Sequence, residues 1–320
     1  MAAQGQSLKG YRKVIFALTG AILIVFGALW MTAILPSLMK APTDLDKTQT
    51  FVGTVQFADQ TGALSDPIPL SQTRHQTGIG TEGDNVLIVE EVIAFANAET
   101  GEAIPLMPPA TSTITVDRST LEMVSSESAN MERQGQWSPP SSLAEGDSFM
   151  VWNPAAGMAL EATYVRSETF QGLDVLVFQI NEESLSLGQE EQQVAPGVTM
   201  TLDKYLTTAI TLTIEPTTGV PVNTVAYTEI GYGLPGMNPV PSFVQNVQYS
   251  EATIASYMDT ATSARSQLFL FGTLIPWIAV AFGAVLLAIP ATLVAARKLR
   301  KTTVEEPADV PTPTPLPLDN

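Results

Sequence analysis

Histidine and cysteine, which do much of the nucleophilic and metal chemistry of proteins, are almost missing from this sequence. The 320 residues include no cysteine and one histidine, His75. The chain can therefore form no disulfide and no thiolate metal site, and it cannot build a multi-histidine metal site. His75 lies in the polar run SQTRHQT at 71–77, where we expect a solvated side chain in a loop. We predict neither a histidine-based triad nor a metal site.

Three pairs of adjacent acidic residues suggest paired carboxylates for glycoside hydrolysis or calcium binding. The pairs are Glu90 with Glu91, Glu182 with Glu183, and Glu190 with Glu191. Adjacent strand residues point to opposite faces of a sheet, so Glu90 and Glu91 cannot converge on one substrate. The other two pairs lie in predicted loops. Weak cation binding at the surface is the most that these residues support.

The run GIGTEG at 78–83 matches the dinucleotide-binding pattern G-x-G-x-x-G. That pattern needs a preceding strand and a following helix, and we predict neither here. The sequence thus offers no catalytic, cofactor-binding or metal-ligating residue and implies no cofactor. We expect the protein not to be an enzyme, and a carboxylate-based hydrolase ranks last among the functions considered.

Two uncharged apolar segments indicate membrane spans. Residues 14–36 contain no charged residue, and a helix of that length is about 34 Å long. Residues 268–296 are likewise uncharged and longer than a span requires, which predicts tilt or a kink near Pro276 or Pro290. Trp30 and Trp277 are expected near the outer interface.

The basic residues predict the orientation of these spans. Lys9, Arg12 and Lys13 precede the first, and AARKLRK at 295–301 follows the second. The positive-inside rule then places residues 1–13 and 297–320 in the cytoplasm of a plasma-membrane protein. We expect the first span to be an uncleaved signal anchor, because its apolar run exceeds that of a cleaved signal peptide, which is the alternative.

The region between the spans, residues 37–267, is strongly acidic. It carries eight Lys or Arg and 28 Asp or Glu, a formal charge of −20, within a chain whose total is −17. Such a charge excludes broad nucleic-acid binding, since phosphate recognition needs clustered Lys and Arg.

Alternating β-branched segments predict an antiparallel, strand-dominated outer domain, either a meander or a curved sheet. The predicted strands are 51–57, 86–95, 113–117, 149–152, 159–167, 174–180, 209–215, 223–230 and 243–249. QGLD at 171–174 and EPTTGVP at 215–221 predict hairpins. Helices are expected at 250–265 and 199–208, and loops at 59–85 and 125–147. The tail from 302 is Pro-rich and predicted to be disordered.

Small residues at helical spacing indicate where the membrane helices could pack. Ala279 with Gly283, and Ala284 with Ala288, permit close approach to the first span at Gly20 and Gly27, or simply face lipid. The sequence is also compatible with a homo-oligomer that forms through these helices.

Four stretches together resemble the bacterial PorA-like porin family. They are LPSLMKAPTDLD at 35–46, TITVDRSTLEMV at 113–124, SFMVWNPAAGMALEATYVRSETFQGLDVLVFQI at 148–180, and TLTIEPTTGVPVNTVAYTEI at 211–230. Asn153 stands where the family usually has Asp, and residues 131–147 depart from its pattern. The resemblance implies two membrane helices around a β-rich extracytoplasmic domain, and its porin label implies an oligomeric channel subunit.

The first functional hypothesis is a non-enzymatic envelope protein. Its acidic outer domain would bind a lipid, a carbohydrate or another envelope protein, and its helices would lie in the bilayer. The channel subunit is the alternative.

Overall fold

The computed structural model describes residues 3–59, 61–195, 197–234 and 236–302. These residues form two compact units. The helical unit comprises the chain up to Leu38 and from Leu268, and the β unit comprises Met39–Gln267. The tail was predicted from 302, and its residues 303–320, like the side chains of both basic clusters, lie outside the described part of the chain.

The helical unit contains the two predicted spans. Its first half consists of α1 (Ala3–Leu29), a π-helical turn (Trp30–Ile34) and α2 (Leu35–Leu38). Its second half consists of a π-helical turn (Leu268–Leu274) and α4 (Ile275–Thr302). Both halves are long and apolar enough to cross a membrane, and only 11% of each most apolar window is buried. A helix in a soluble core would be mostly buried, so this exposure fits contact with lipid.

Glycines set the contact between α1 and α4. A Cβ atom added to Gly283 would lie 2.7 Å from the carbonyl oxygen of Gly20, and one added to Gly27 would lie 2.7 Å from Val280 Cγ2. The predicted packing through Gly20, Gly27 and Gly283 is therefore formed. Ala284 is exposed instead.

The π-helical turn before α4 ends at Leu274, two residues before Pro276, where an irregularity was predicted. Proline has no N–H, so it cannot donate the π-type hydrogen bond to the carbonyl five residues earlier, at Phe271. The indole Nε1–H of Trp30 donates to that carbonyl at 2.8 Å. A tryptophan of one helix thus satisfies a backbone acceptor that proline leaves free in the other.

The β unit is one antiparallel sheet of ten strands followed by a helix. The strands are β1 (Asp46–Phe57), β2 (Ile68–Glu82), β3 (Val86–Asn97), β4 (Ala110–Asp117), β5 (Ser148–Asn153), β6 (Met158–Phe170), β7 (Leu173–Ala195), β8 (Val198–Glu215), β9 (Val220–Gly233) and β10 (Val240–Tyr249). Their order is β4-β3-β2-β1-β10-β9-β8-β7-β6-β5. Each half is a meander, and β1 joins the halves by pairing with β10.

The sheet curls so that one face becomes an interior. Its edge strands are β4 and β5, and the crossover segment 118–147 links them through single bridges, Val116 to Met123, Glu122 to Gln136, and Gln136 to Val151. Trp152 of β5 packs on an apolar cluster from the opposite edge. That cluster contains Leu87, Val89, Ile114 and Val116. The predicted antiparallel, strand-dominated domain between two apolar helices is confirmed.

Helix α3 (Glu251–Gln267) confirms the helix predicted at 250–265. Ser250 caps it, since the Thr253 N–H donates to Ser250 Oγ at 3.2 Å. It buries Thr253, Tyr257 and Ala261, which are four residues apart and so lie on one face.

The nine predicted strands are confirmed, and so are both predicted hairpins. Gln171 and Gly172 have φ values of 48° and 85°, which is the geometry of a type I′ turn. Gly219 has φ of 73° in the turn between β8 and β9.

Two predictions of the sequence pattern are wrong. Residues 68–82, predicted as loop, form β2, and the run at 78–83 lies at its end and leads into another strand rather than a helix. Residues 199–208, predicted as a short helix, belong to β8. In both cases, pairing with strands on each side overrides a weakly apolar local sequence.

The β unit has two distinct ends. Strand β1 begins and β10 ends at the proximal end, where the chain enters and leaves the sheet. The distal end carries the connections β1–β2, β3–β4, β5–β6, β7–β8 and β9–β10, here called the distal loops.

We predict that Gly283→Leu destabilises the helical unit by about 1–3 kcal/mol, since the added side chain meets backbone that cannot move aside. Thermal unfolding of the detergent-solubilised protein measures this. Ala284→Leu is the matched control, because Ala284 is exposed one residue further along the same helix. Equal melting temperatures for the two variants would contradict the glycine contact.

Candidate functional site

A row of polar side chains crosses the interior face of the sheet. The register aligns Lys47 of β1 with Gln76 of β2, Gln76 with Glu91 of β3, and Glu91 with Ser112 of β4. Residues aligned in this way share one face, about 4.8 Å apart from strand to strand. The interior therefore contains a continuous polar strip beside its apolar clusters.

Glu91 is the centre of this strip and is only 2% exposed. Its Oε2 accepts from Arg74 Nε at 2.6 Å and from Gln76 Nε2 at 2.8 Å. Its Oε1 pairs with Arg133 Nη1 at 3.2 Å, and Arg133 Nη2 also donates to Ser112 Oγ at 2.8 Å. Both carboxylate oxygens are thus occupied by cationic or amide donors.

These partners decide the charge of Glu91. Burial by itself would raise the pKa of the carboxyl, but the Arg74 guanidinium, the Gln76 amide and the Arg133 guanidinium outweigh it and hold the pKa below its usual value. Glu91 is therefore ionised at neutral pH and stays bound to its partners. A carboxylate held in this way is not free to act as a base or nucleophile.

Lys47 lies at the other end of the strip, between two aromatic rings. Its Nζ is 4.6 Å from the ring centroid of Tyr257 and 5.9 Å from that of Trp137. Burial, and then repulsion by Arg74, lower the pKa of Lys47 to about 8. No carboxylate of the described residues lies within ion-pair distance of this ammonium group. Cation–π contacts are its main compensation.

Three further donors in this region are buried without an acceptor among the described residues. They are Arg133 Nε, Trp137 Nε1 and Trp152 Nε1. The Arg133 guanidinium lies 5.7 Å from the Trp152 ring, and both indoles pack on the apolar cluster of β3 and β4. Unpaired acceptors also occur, at Gln49 Oε1 and Gln136 Oε1. We call Lys47, Arg133, Trp137 and Trp152 the donor cluster.

The residues singled out from the sequence do not converge. His75 lies on β2 rather than in a loop, and contacts Thr48 at 2.9 Å and Thr77 at 3.0 Å. Glu90 is half-buried while Glu91 is buried, which confirms that they face opposite sides. Among the described residues, no three His, Cys, Asp or Glu side chains are arranged to hold a metal ion.

The remaining acidic pairs were wrongly assigned to loops. Glu182, Glu183, Glu190 and Glu191 lie on β7, where its hairpin with β8 extends beyond β6. Glu190 pairs with Lys204 at 3.0 Å. They are strand residues of an extended ribbon.

The sequence analysis missed the polar strip and the donor cluster. One signal was available, because Glu91 shares the alternating register of Leu87 and Val89, which predicts an inward carboxylate. Nothing local indicates Arg133 or Trp137, which lie in the irregular crossover segment.

The distal loops form a second unusual surface. Eight large apolar side chains are exposed in these loops or on the strand residues next to them, at Leu64, Leu106, Met158, Val198, Met200, Leu234, Met237 and Val240. Three of the five loops, β5–β6, β7–β8 and β9–β10, lie within runs that contain no charged residue, at 148–160, 192–202 and 230–250. The charged residues of the other two loops are Asp59, Asp66, Glu99 and Glu102. Three uncharged loops with exposed apolar side chains are unexpected on a domain with 28 acidic residues.

The sequence as a whole matches one family model, described as porin PorA, over residues 14–292. The chain belongs to the porin PorA family. No match is found among curated proteins. Solved structures that match include a lipoprotein from Parabacteroides distasonis ATCC 8503, with 10% sequence identity, 64% of this chain and 95% of that chain covered, and a TM-score of 0.18. Similarity at that score supports no argument about fold or function.

The structure explains one departure of this PorA-family chain from the family pattern it resembles. Asn153 ends β5, and its Oδ1 accepts the N–H groups of Ala155 at 2.9 Å and Ala156 at 3.0 Å. An Asp carboxylate accepts the same two bonds, so the substitution preserves the turn.

We predict that Glu91→Gln destabilises the β unit by about 3–5 kcal/mol, because two guanidinium groups lose their buried counter-charge. Chemical denaturation followed by tryptophan fluorescence measures the loss. Glu90→Gln, one residue away and on the other face, should cost less than about 0.5 kcal/mol. Similar losses in both variants would show that Glu91 does not organise the interior.

The depressed pKa of Glu91 also predicts a pH dependence. Its contribution is fully present above the unfolded value near 4.5 and is lost as pH falls through the lower folded value. Stability of the unmodified protein should therefore fall below about pH 4.5. The Glu91→Gln variant should show a shallower fall, and parallel curves would exclude this origin.

Proposed function

We propose that this PorA-family protein is a non-enzymatic envelope protein that binds a neutral lipid surface through its distal loops. Its helical unit lies in the plasma membrane, its termini are cytoplasmic, and the β unit lies outside. The basic residues before 14 and after 296 support this orientation through the positive-inside rule.

The single observation that carries the proposal is the charge and apolar content of the distal end. A surface that contacts water gains by carrying charge, and all the acidic residues of this unit except Asp59, Asp66, Glu99 and Glu102 lie outside the distal loops. The uncharged loops β5–β6, β7–β8 and β9–β10 can enter an apolar phase without desolvating a charge. Exposed side chains such as Leu106, at 69%, and Met237, at 61%, gain by leaving water.

Charge also selects the kind of lipid. The distal loops lie within runs without Lys or Arg, and the β unit has a formal charge of −20, so anionic head groups would repel it. A bilayer of zwitterionic lipid presents no such barrier.

The family description makes a channel subunit the second candidate. Within one chain, α1 and α4 touch at Gly20 and Gly283, so a pore would have to form between several chains. The exposed small residues Ala284 and Ala288 offer a surface for such association. Conductance in planar bilayers that depends on oligomer formation would favour this candidate.

We predict that the full-length protein, held in phosphatidylcholine nanodiscs, floats with added phosphatidylcholine vesicles in a density gradient. Substituting Met237→Glu and Val240→Glu together should reduce the floating fraction about tenfold or more, since two carboxylates must then be desolvated.

Ile79→Glu is the matched control for this experiment. Ile79 is as exposed as Val240, at 54% against 53%, but lies on β2 near the proximal end. It should leave flotation unchanged. Absence of flotation in the unmodified protein, or equal loss in both variants, would overturn the proposal.

A further inference from the structure

We propose that the donor cluster is a binding site for an anionic phosphate or carboxylate group inside the β unit. Lys47, Arg133, Trp137 and Trp152 supply the donors. The site is separate from the distal loops and does not depend on what they bind.

The unpaired groups point to an acceptor. Buried polar groups in folded proteins almost always have hydrogen-bond partners, and leaving one without a partner costs about 1–3 kcal/mol. Among the described residues, Arg133 Nε has no acceptor although Arg133 is only 8% exposed, and the buried indole Nε1 atoms of Trp137 and Trp152 have none either. All three atoms donate only, so the complementary group is one that only accepts.

The balance of charge points the same way. Three cations, Lys47, Arg74 and Arg133, line this interior around one carboxylate, Glu91. Glu91 already contacts both arginines, at 2.5 Å and 3.2 Å, and Lys47 has aromatic rings instead of a carboxylate beside it. The three cations exceed the one carboxylate by two positive charges, and a bound anion would supply counter-charge.

The walls of the site define the rest of the ligand. Trp137 and Trp152 pack on the apolar cluster of Leu87, Val89 and Ile114. An anion with an apolar chain matches both the donors and the walls, whereas an inorganic anion matches the donors alone. A free anion and the head group of an amphiphile could both supply the phosphate or carboxylate. The experiment must distinguish these two sources.

The test uses the indole N–H signals of the full-length protein in a non-ionic detergent, recorded by nitrogen-15 NMR. The chain has four tryptophans, and Trp30 and Trp277 of the helical unit serve as internal controls. Signals are assigned with single Trp→Phe variants. The probes are inorganic phosphate, octyl phosphate and octanoate, with octyltrimethylammonium as the amphiphile of opposite charge.

Saturable shifts of the Trp137 and Trp152 signals with phosphate or carboxylate, and none with octyltrimethylammonium, are expected. Saturation by inorganic phosphate would assign the site to a free anion, and saturation only by the octyl compounds would assign it to an amphiphile head group. Lys47→Met, which keeps the aliphatic stem, should weaken the apparent affinity about tenfold or more, and Lys47→Arg should restore much of it.

Lys204→Met is the matched control, because Lys204 is a partly buried lysine that pairs with Glu190 on another part of the sheet. It should leave the affinity unchanged. The proposal is overturned if no anion moves the two signals, if the cationic amphiphile moves them equally, or if Lys47→Met binds as well as the unmodified protein.

Discussion

The pairing of Glu91 with Arg133 is the contact on which the closed shape of the β unit depends. Arg133 belongs to the crossover segment 118–147, which lacks long strands or helices and connects the two edge strands of the sheet. A guanidinium is buried only when its charge is matched, so Glu91 fixes the segment at one place inside the sheet. Once it is fixed, Met123 and Gln136 bridge toward β4 and β5 and cover edges that would otherwise expose unpaired backbone groups.

The same polar interior explains what the sequence could and could not predict. Strands with apolar inward positions, such as β3 and β7, are evident from alternation, and the hairpin at Gln171 is evident from its turn residues. Strand β2 was missed because two of its inward positions are Arg74 and Gln76, so the residues that build the polar strip also remove the apolar alternation that identifies a strand. The inward polar residues that give β2 its place in the polar strip therefore also prevent its recognition as a strand from the sequence.

The donor cluster was unpredictable for a different reason. Lys47 meets Tyr257 from a helix more than 200 residues later, and Trp137 from an irregular segment. No local pattern encodes such contacts, because they arise only when β1 pairs with β10 and the crossover segment enters the sheet. The glycine contact of the helical unit was predictable, since small residues at helical spacing leave few other ways for two apolar helices to pack closely.

The opposite signs of the interior and exterior charge have a consequence for any ligand of the donor cluster. The formal charge of −20 on the β unit favours retention of a half-buried cation such as Lys47, because the surrounding field is negative. That field also repels a free anion that approaches through water, and such an anion must lose its hydration on entry. An anion attached to an apolar chain gains about 0.8 kcal/mol for each methylene buried. Burial of a few carbons therefore offsets several kcal/mol of the cost of removing the anion from water. The ligand expected at the proposed site is therefore an anionic amphiphile that arrives from an apolar phase.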